Sequence, residues 1–182
     1  GVYYSYFEDD CKGRTLKELY LNKDKSPMAD EDGDFGLSYE YNEEQNFSIV
    51  TCLDENGQPH TNKLGYGIIY LYKDEKGREI KRMYFDINRN PIAIQTMLDC
   101  YGITYEYPNE NNRIVGYLNE KGEITKNKYG YAYREECFDS VNGIRHIHYY
   151  DETRNNVQSL ENDNKEFGYA IVQDENWRRI LS

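Results

Sequence analysis

The sequence predicts an all-β protein: five tandem β-hairpin repeats of about 32 residues forming an elongated meander or a solenoid-like stack. Three observations predict it. First, Asn22, Asp54, Asp86, Asn119 and Asp151 follow one another at intervals of 32, 32, 33 and 32 residues, the mark of an array in which each unit buries its apolar face on its neighbours. Second, the clearest unit reads as strand, D-x-x-G turn and returning strand. Third, the 182 residues include 20 tyrosines. A mean hydropathy of −0.97 and a net charge of −11 would by themselves lean towards disorder. Each aromatic ring, however, buries about 150–250 Å² while a Tyr hydroxyl can stay wet, so tyrosines in register can supply a thin core.

The expected units are 1–32, 33–64, 65–98, 99–129 and 130–182, one array without an internal domain boundary. The first opens Gly1-Val2-Tyr3-Tyr4, like the strand at Gly65, and Gly13-Arg14 precedes Gly77-Arg78 by 64 residues, two periods. In the second, Phe35, Leu37, Tyr39 and Tyr41 alternate onto one strand face. The third runs Gly65–Tyr72, turns at Asp74-Glu75-Lys76-Gly77, returns as Arg78–Phe85, and turns again at Asp86–Asn90 before Pro91 limits pairing to an edge. In the fourth, Tyr101, Ile103, Tyr105 and Tyr107 share a face. The fifth carries Tyr131–Cys137 and Tyr149-Tyr150-Asp151, then Tyr169-Ala170 and Trp177. Every first strand has a small residue near its start: Gly36, Gly67, Gly102, Ala132 and Ala170. A neighbouring strand or ring is expected to approach closely there. The adjacent bulky pairs Tyr84-Phe85 and Tyr149-Tyr150 predict return strands covered on both faces. Because the chain opens and closes inside a hairpin, it reads as part of a longer array, although Arg178-Arg179 also fits a terminal cap.

The four cysteines, Cys11, Cys52, Cys100 and Cys137, are too dispersed for a zinc pattern and too few for a disulfide scaffold. Cys52 and Cys137 stand where other units have tyrosines, so they are expected as small buried apolar residues. His146 and His148 fall on one strand face as half of a metal site, but zinc needs three or four ligands and the sequence shows no third; a solvated or cross-strand pair is expected. His60 stands isolated in a turn. Asp30, Asp32 and Asp34 alternate like a calcium loop, yet Phe35 and Tyr41 occupy the places of the required Gly and Glu, so a solvated acidic loop is expected. No phosphate loop, nucleophile elbow or H-E-x-x-H occurs, and the expectation is a protein that is not an enzyme and carries no cofactor or metal. The acidic balance without a Lys/Arg cluster argues against nucleic acid and anionic membrane, and no stretch has the roughly 20 apolar residues of a membrane-spanning helix.

Tyr72-Lys73-Asp74-Glu75-Lys76-Gly77-Arg78-Glu79 resembles the Tyr-Asp-x-x-Gly-Arg core of Rhs or YD-repeat proteins. Tyr117-Leu118-Asn119-Glu120-Lys121-Gly122 and Gly130-Tyr131 are similar to WG-type and cell-wall or choline-binding aromatic repeats. The resemblance implies a bacterial, extracellular or cell-surface, non-catalytic array that binds, displays or encloses something. Three functions are expected to compete: a module contacting a protein partner; a carbohydrate or cell-wall binder stacking Tyr39, Tyr70, Tyr105 and Tyr133 on sugar rings; and an architectural spacer or shell segment. Strand alternation assigns the four tyrosines to a buried ladder first. Asp54, Asp86 and Asp151, with the small residues at strand starts, are the expected structural repeat positions.

Overall fold

The computed structural model describes residues 4–139, 141–160 and 168–172; Trp177 and Arg178-Arg179 lie outside them. The fold is all-β, with eleven strands and a single short 3-10 turn at Gln95–Met97 among the described residues. The strands are β1 (Tyr4–Asp9), β2 (Thr15–Leu21), β3 (Gly36–Asn42), β4 (Phe47–Leu53), β5 (Ile68–Lys73), β6 (Glu79–Phe85), β7 (Gly102–Asn109), β8 (Asn112–Leu118), β9 (Tyr133–Asp139), β10 (Ile144–Tyr150) and β11 (Gly168–Val172). The chain divides into two compact units, Gly1–Met97 and Leu98–Ser182. In the first, β1 to β6 pair antiparallel in chain order. In the second, β7 to β11 do the same.

The loops after the even-numbered strands from β2 to β10 are built alike. The backbone amides of Asn22, Asp54, Asp86, Asn119 and Asp151 donate to the carbonyls four residues on, at 2.8–2.9 Å. In the last four, the side-chain Oδ1 also accepts the amides two and four residues ahead: Asn56 and Gln58, Asn88 and Asn90, Lys121 and Glu123, Thr153 and Asn155. Short polar side chains favour such turns because they satisfy local amides that no strand reaches. The fourth residue takes a left-handed conformation in every copy: Lys25 (φ 66°), Gly57 (71°), Arg89 (66°), Gly122 (77°) and Arg154 (68°). The chain then returns through the bridges Leu21–Pro27, Leu53–Pro59, Phe85–Pro91, Leu118–Ile124 and Tyr150–Asn156.

Rings and aliphatics from both strand faces fill the interior of each unit. In the first, Val50, Cys52, Leu53, Ile68, Met83, Tyr84 and Ile94 are buried. In the second, Cys100, Ile103, Val115, Tyr117, Tyr131, Ile147 and Tyr149 form one cluster. The adjacent pair Tyr84-Phe85 packs in two directions, Tyr84 on Tyr66 (centroids 5.1 Å) and Phe85 on Tyr70 (4.4 Å). Two-sided covering of this return strand is therefore observed.

The register separates the small residues at the strand starts. Gly36 and Gly102 pair with Leu53 and Leu118, whereas Ile68 and Tyr133 hold the matching places opposite Phe85 and Tyr150. Gly67 and Ala132 sit one residue earlier, donating their amides to the Phe85 and Tyr150 carbonyls. A one-residue offset reverses the face a side chain takes, so the set comprises two kinds of position. Both are tight: a Cβ on Gly36 would lie 2.2 Å from the Glu18 carbonyl oxygen, one on Gly67 2.6 Å from that of His60, and Ala132 is fully buried. The Ala170 side chain lies outside the described residues.

Candidate functional site

The four candidate tyrosines do not form a stripe. Tyr39 pairs with Val50, which pairs with Ile69, so Tyr39 and Ile69 share a face and Tyr70 takes the opposite one. In the second unit, Tyr105 pairs with Val115 and Val115 with Arg134, leaving Tyr133 on the other face. Their chemistry is equally engaged. The Tyr39 hydroxyl donates to Glu18 Oε1 at 2.8 Å, and Tyr70 packs between Phe47 (5.0 Å) and Phe85 (4.4 Å). Tyr105 lies beside Tyr107 (6.3 Å). Tyr133 is buried with the Arg154 guanidinium 3.5 Å over its ring.

The alternating aspartates differ from the solvated loop expected of them. Asp30 Oδ1 accepts the amides of Asp32 and Asp34, which turns Asp34 inward until it is 3 % exposed. There His60 Nε2 lies 2.9 Å from Asp34 Oδ1, and Asn62 Nδ2 donates to Oδ2 at 3.1 Å. His60 is thus a partner of Asp34 rather than an isolated turn residue. Cys52 closes the group, with Asn62 Nδ2 3.8 Å from its Sγ. Burial, and then the Asp34 charge, push this thiol far up, so it stays protonated. A protonated thiol with 1 % exposure is a packing residue, as expected of Cys52, and Cys100 is similarly buried with its pKa pushed up to about 11, chiefly by burial. Cys137 is only half-buried and Cys11 exposed; all four are free thiols.

Two ends of each meander reach solvent. At the hairpin end of the first unit, a cleft of about 230 Å³ is lined by Arg14, Tyr41, Glu43, Phe47, Lys73 and Asp74. On one side of it Arg14 binds Asp10 and Glu43 and covers the Tyr41 ring at 4.5 Å, and Lys12 also reaches Glu43; on the other Asp74 pairs with Arg78. At the other end stand the repeated loops. Asp54, Asp86 and Asp151 point their carboxylates back into their own loops, and the donated amides hold each below the usual carboxylate range. The residues they frame differ from loop to loop and are exposed: Lys23-Asp24-Lys25, Glu55-Asn56, Ile87-Asn88-Arg89, Glu120-Lys121 and Glu152-Thr153-Arg154. Sequence reading identified the framing residues but missed these tips, although their variation within a constant frame was visible in the alignment of the units. Among the described residues no three His, Cys, Asp or Glu side chains stand gathered for a metal, and no helix is long and apolar enough to cross a membrane. Comparison of the sequence with protein-family models and with curated proteins finds no match.

Proposed function

We propose that the chain is a non-catalytic interaction module of five tandem hairpin repeats, exported by a bacterium, that recognises a protein partner through its loop tips. The observation that carries this reading is a constant loop frame with a variable exposed tip. Five loops share one backbone hydrogen-bonding scheme, so each tip is held by the sheet of its own unit, the arrangement in which loops serve recognition. Their residues mix charges with the exposed apolar Ile87, a composition suited to a polar, partly apolar protein surface. The split of Tyr39, Tyr70, Tyr105 and Tyr133 between two faces in their units leaves no shared platform for a sugar chain.

The test exposes tagged protein in parallel to host-surface protein extract and to purified cell wall, identifies any retained protein, and repeats the binding with the purified partner. Saturable binding to that partner, lost on the paired substitutions Ile87→Ser and Arg89→Asp with an unchanged far-UV spectrum, supports the proposal. Retention on cell wall alone, or protein binding indifferent to every tip, overturns it.

A further inference from the structure

The strongest unassigned chemistry lies on one face of β9 and β10. His146 and His148 project from alternate positions of β10 with their rings parallel to within 4° and their centroids 6.4 Å apart. The register sets Cys137 of β9 directly opposite His146 and Glu135 directly opposite His148. Four groups able to ligate a metal therefore occupy a two-by-two block on one strand face, where opposed Cβ atoms are about 4.5–5.5 Å apart. The block is open to solvent: His148 is exposed and the other three are half-buried.

We propose that His146, His148, Cys137 and Glu135 bind a borderline divalent transition metal ion, zinc in the first instance. Two imidazoles, a thiolate and a carboxylate make up a four-coordinate donor set that suits Zn²⁺ and its spectroscopic substitute Co²⁺ better than the hard ions Ca²⁺ or Mg²⁺. One of the four is already held in place. The Tyr150 hydroxyl donates to Glu135 Oε2 at 2.6 Å, fixing that carboxylate while its other oxygen serves as ligand. The ligand atoms do not converge as the side chains stand. The backbone already places all four side chains together, so closing the site takes side-chain rotation, and the Cys137 proton passes to solvent as the metal binds.

The experiment titrates the full reduced chain with Co²⁺ and then displaces it with Zn²⁺. One equivalent of Co²⁺ is expected to give the strong visible absorption of a tetrahedral site together with a thiolate-to-cobalt charge-transfer band. Cys137→Ser should remove the charge-transfer band, and His148→Ala, a change at an exposed position that leaves the fold intact, should weaken binding more than tenfold. Loss of an outer-shell partner already costs about 10–100-fold. Cys11→Ser should change nothing. Absence of saturable uptake overturns the proposal, as does uptake that survives both ligand substitutions or depends on Cys11.

Discussion

Gly36→Ala tests the register on which the fold rests. Gly36 pairs with Leu19 on one side and Leu53 on the other. A Cβ there would lie 2.2 Å from the Glu18 carbonyl oxygen, 2.9 Å from Leu19 Cδ2 and 3.0 Å from Leu19 Cα. Ordinary C···O approach is about 3.3–3.6 Å, so β2 must retreat by about 1 Å. The β2–β3 pairing has only three register pairs and cannot absorb that shift locally. Strain of about 1–3 kcal/mol from overpacking, with about two strand hydrogen bonds weakened at about 0.5–1.5 kcal/mol each, gives a loss of about 2–6 kcal/mol. Gly77→Ala is the control: Gly77 has φ 78° with nothing within 4 Å of the added carbon. Only the left-handed strain of about 1–2 kcal/mol applies there, partly offset by the stiffer unfolded chain. Urea denaturation followed by far-UV circular dichroism measures both, and amide exchange locates the loss, which should fall on β2 and β3. Equal losses for the two variants, or unchanged protection of β2, would refute the close approach and with it the register.

Other consequences are equally open to measurement. Ile147→Ala, at a fully buried position in the core of the second unit, should cost about 2–5 kcal/mol in the same assay; a loss below about 1 kcal/mol would mean that the site is not packed. Burial, the largest cause in each case, pushes the hydroxyls of Tyr66, Tyr117 and Tyr150 up to about 12. The folded protein then holds protons that the unfolded chain has released, so stability intact below pH 10 should fall as pH rises from about 10 through 12. Phenolate absorbance should show a matching late-titrating class, and a single transition near pH 10 would contradict it. A thiol reagent should modify Cys11 at once and reach Cys52 and Cys100 only on unfolding, because Cys11 is exposed and the other two are buried; rapid labelling of Cys52 would place it wrongly. Asp34→Ala strands the Asn62 amide and the His60 ring, and should cost about 1–3 kcal/mol with strong non-additivity against His60→Ala. Additive losses would dissolve the group.

What the sequence determined by itself is whatever contiguous residues encode. The hairpin turns need Gly13 and Gly77 at positive φ, and the Asx loops need a short oxygen-bearing side chain at positions 54, 86, 119 and 151, so both were legible as spacing. The all-β class followed from them and from alternating aromatics. Strand register, by contrast, depends on connections of unequal length and on which neighbour each strand meets, and a slip of one residue reverses every side chain. For that reason Tyr39 and Tyr70 looked equivalent in sequence and lie on opposite faces. Asp34 and His60, 26 residues apart, meet only because the segments that carry them lie side by side, joined by the Lys63 amide on the Asp32 carbonyl. The two histidines of β10 gained Cys137 and Glu135 only when β9 lay beside them, since cross-strand pairing brings together residues that no local pattern relates.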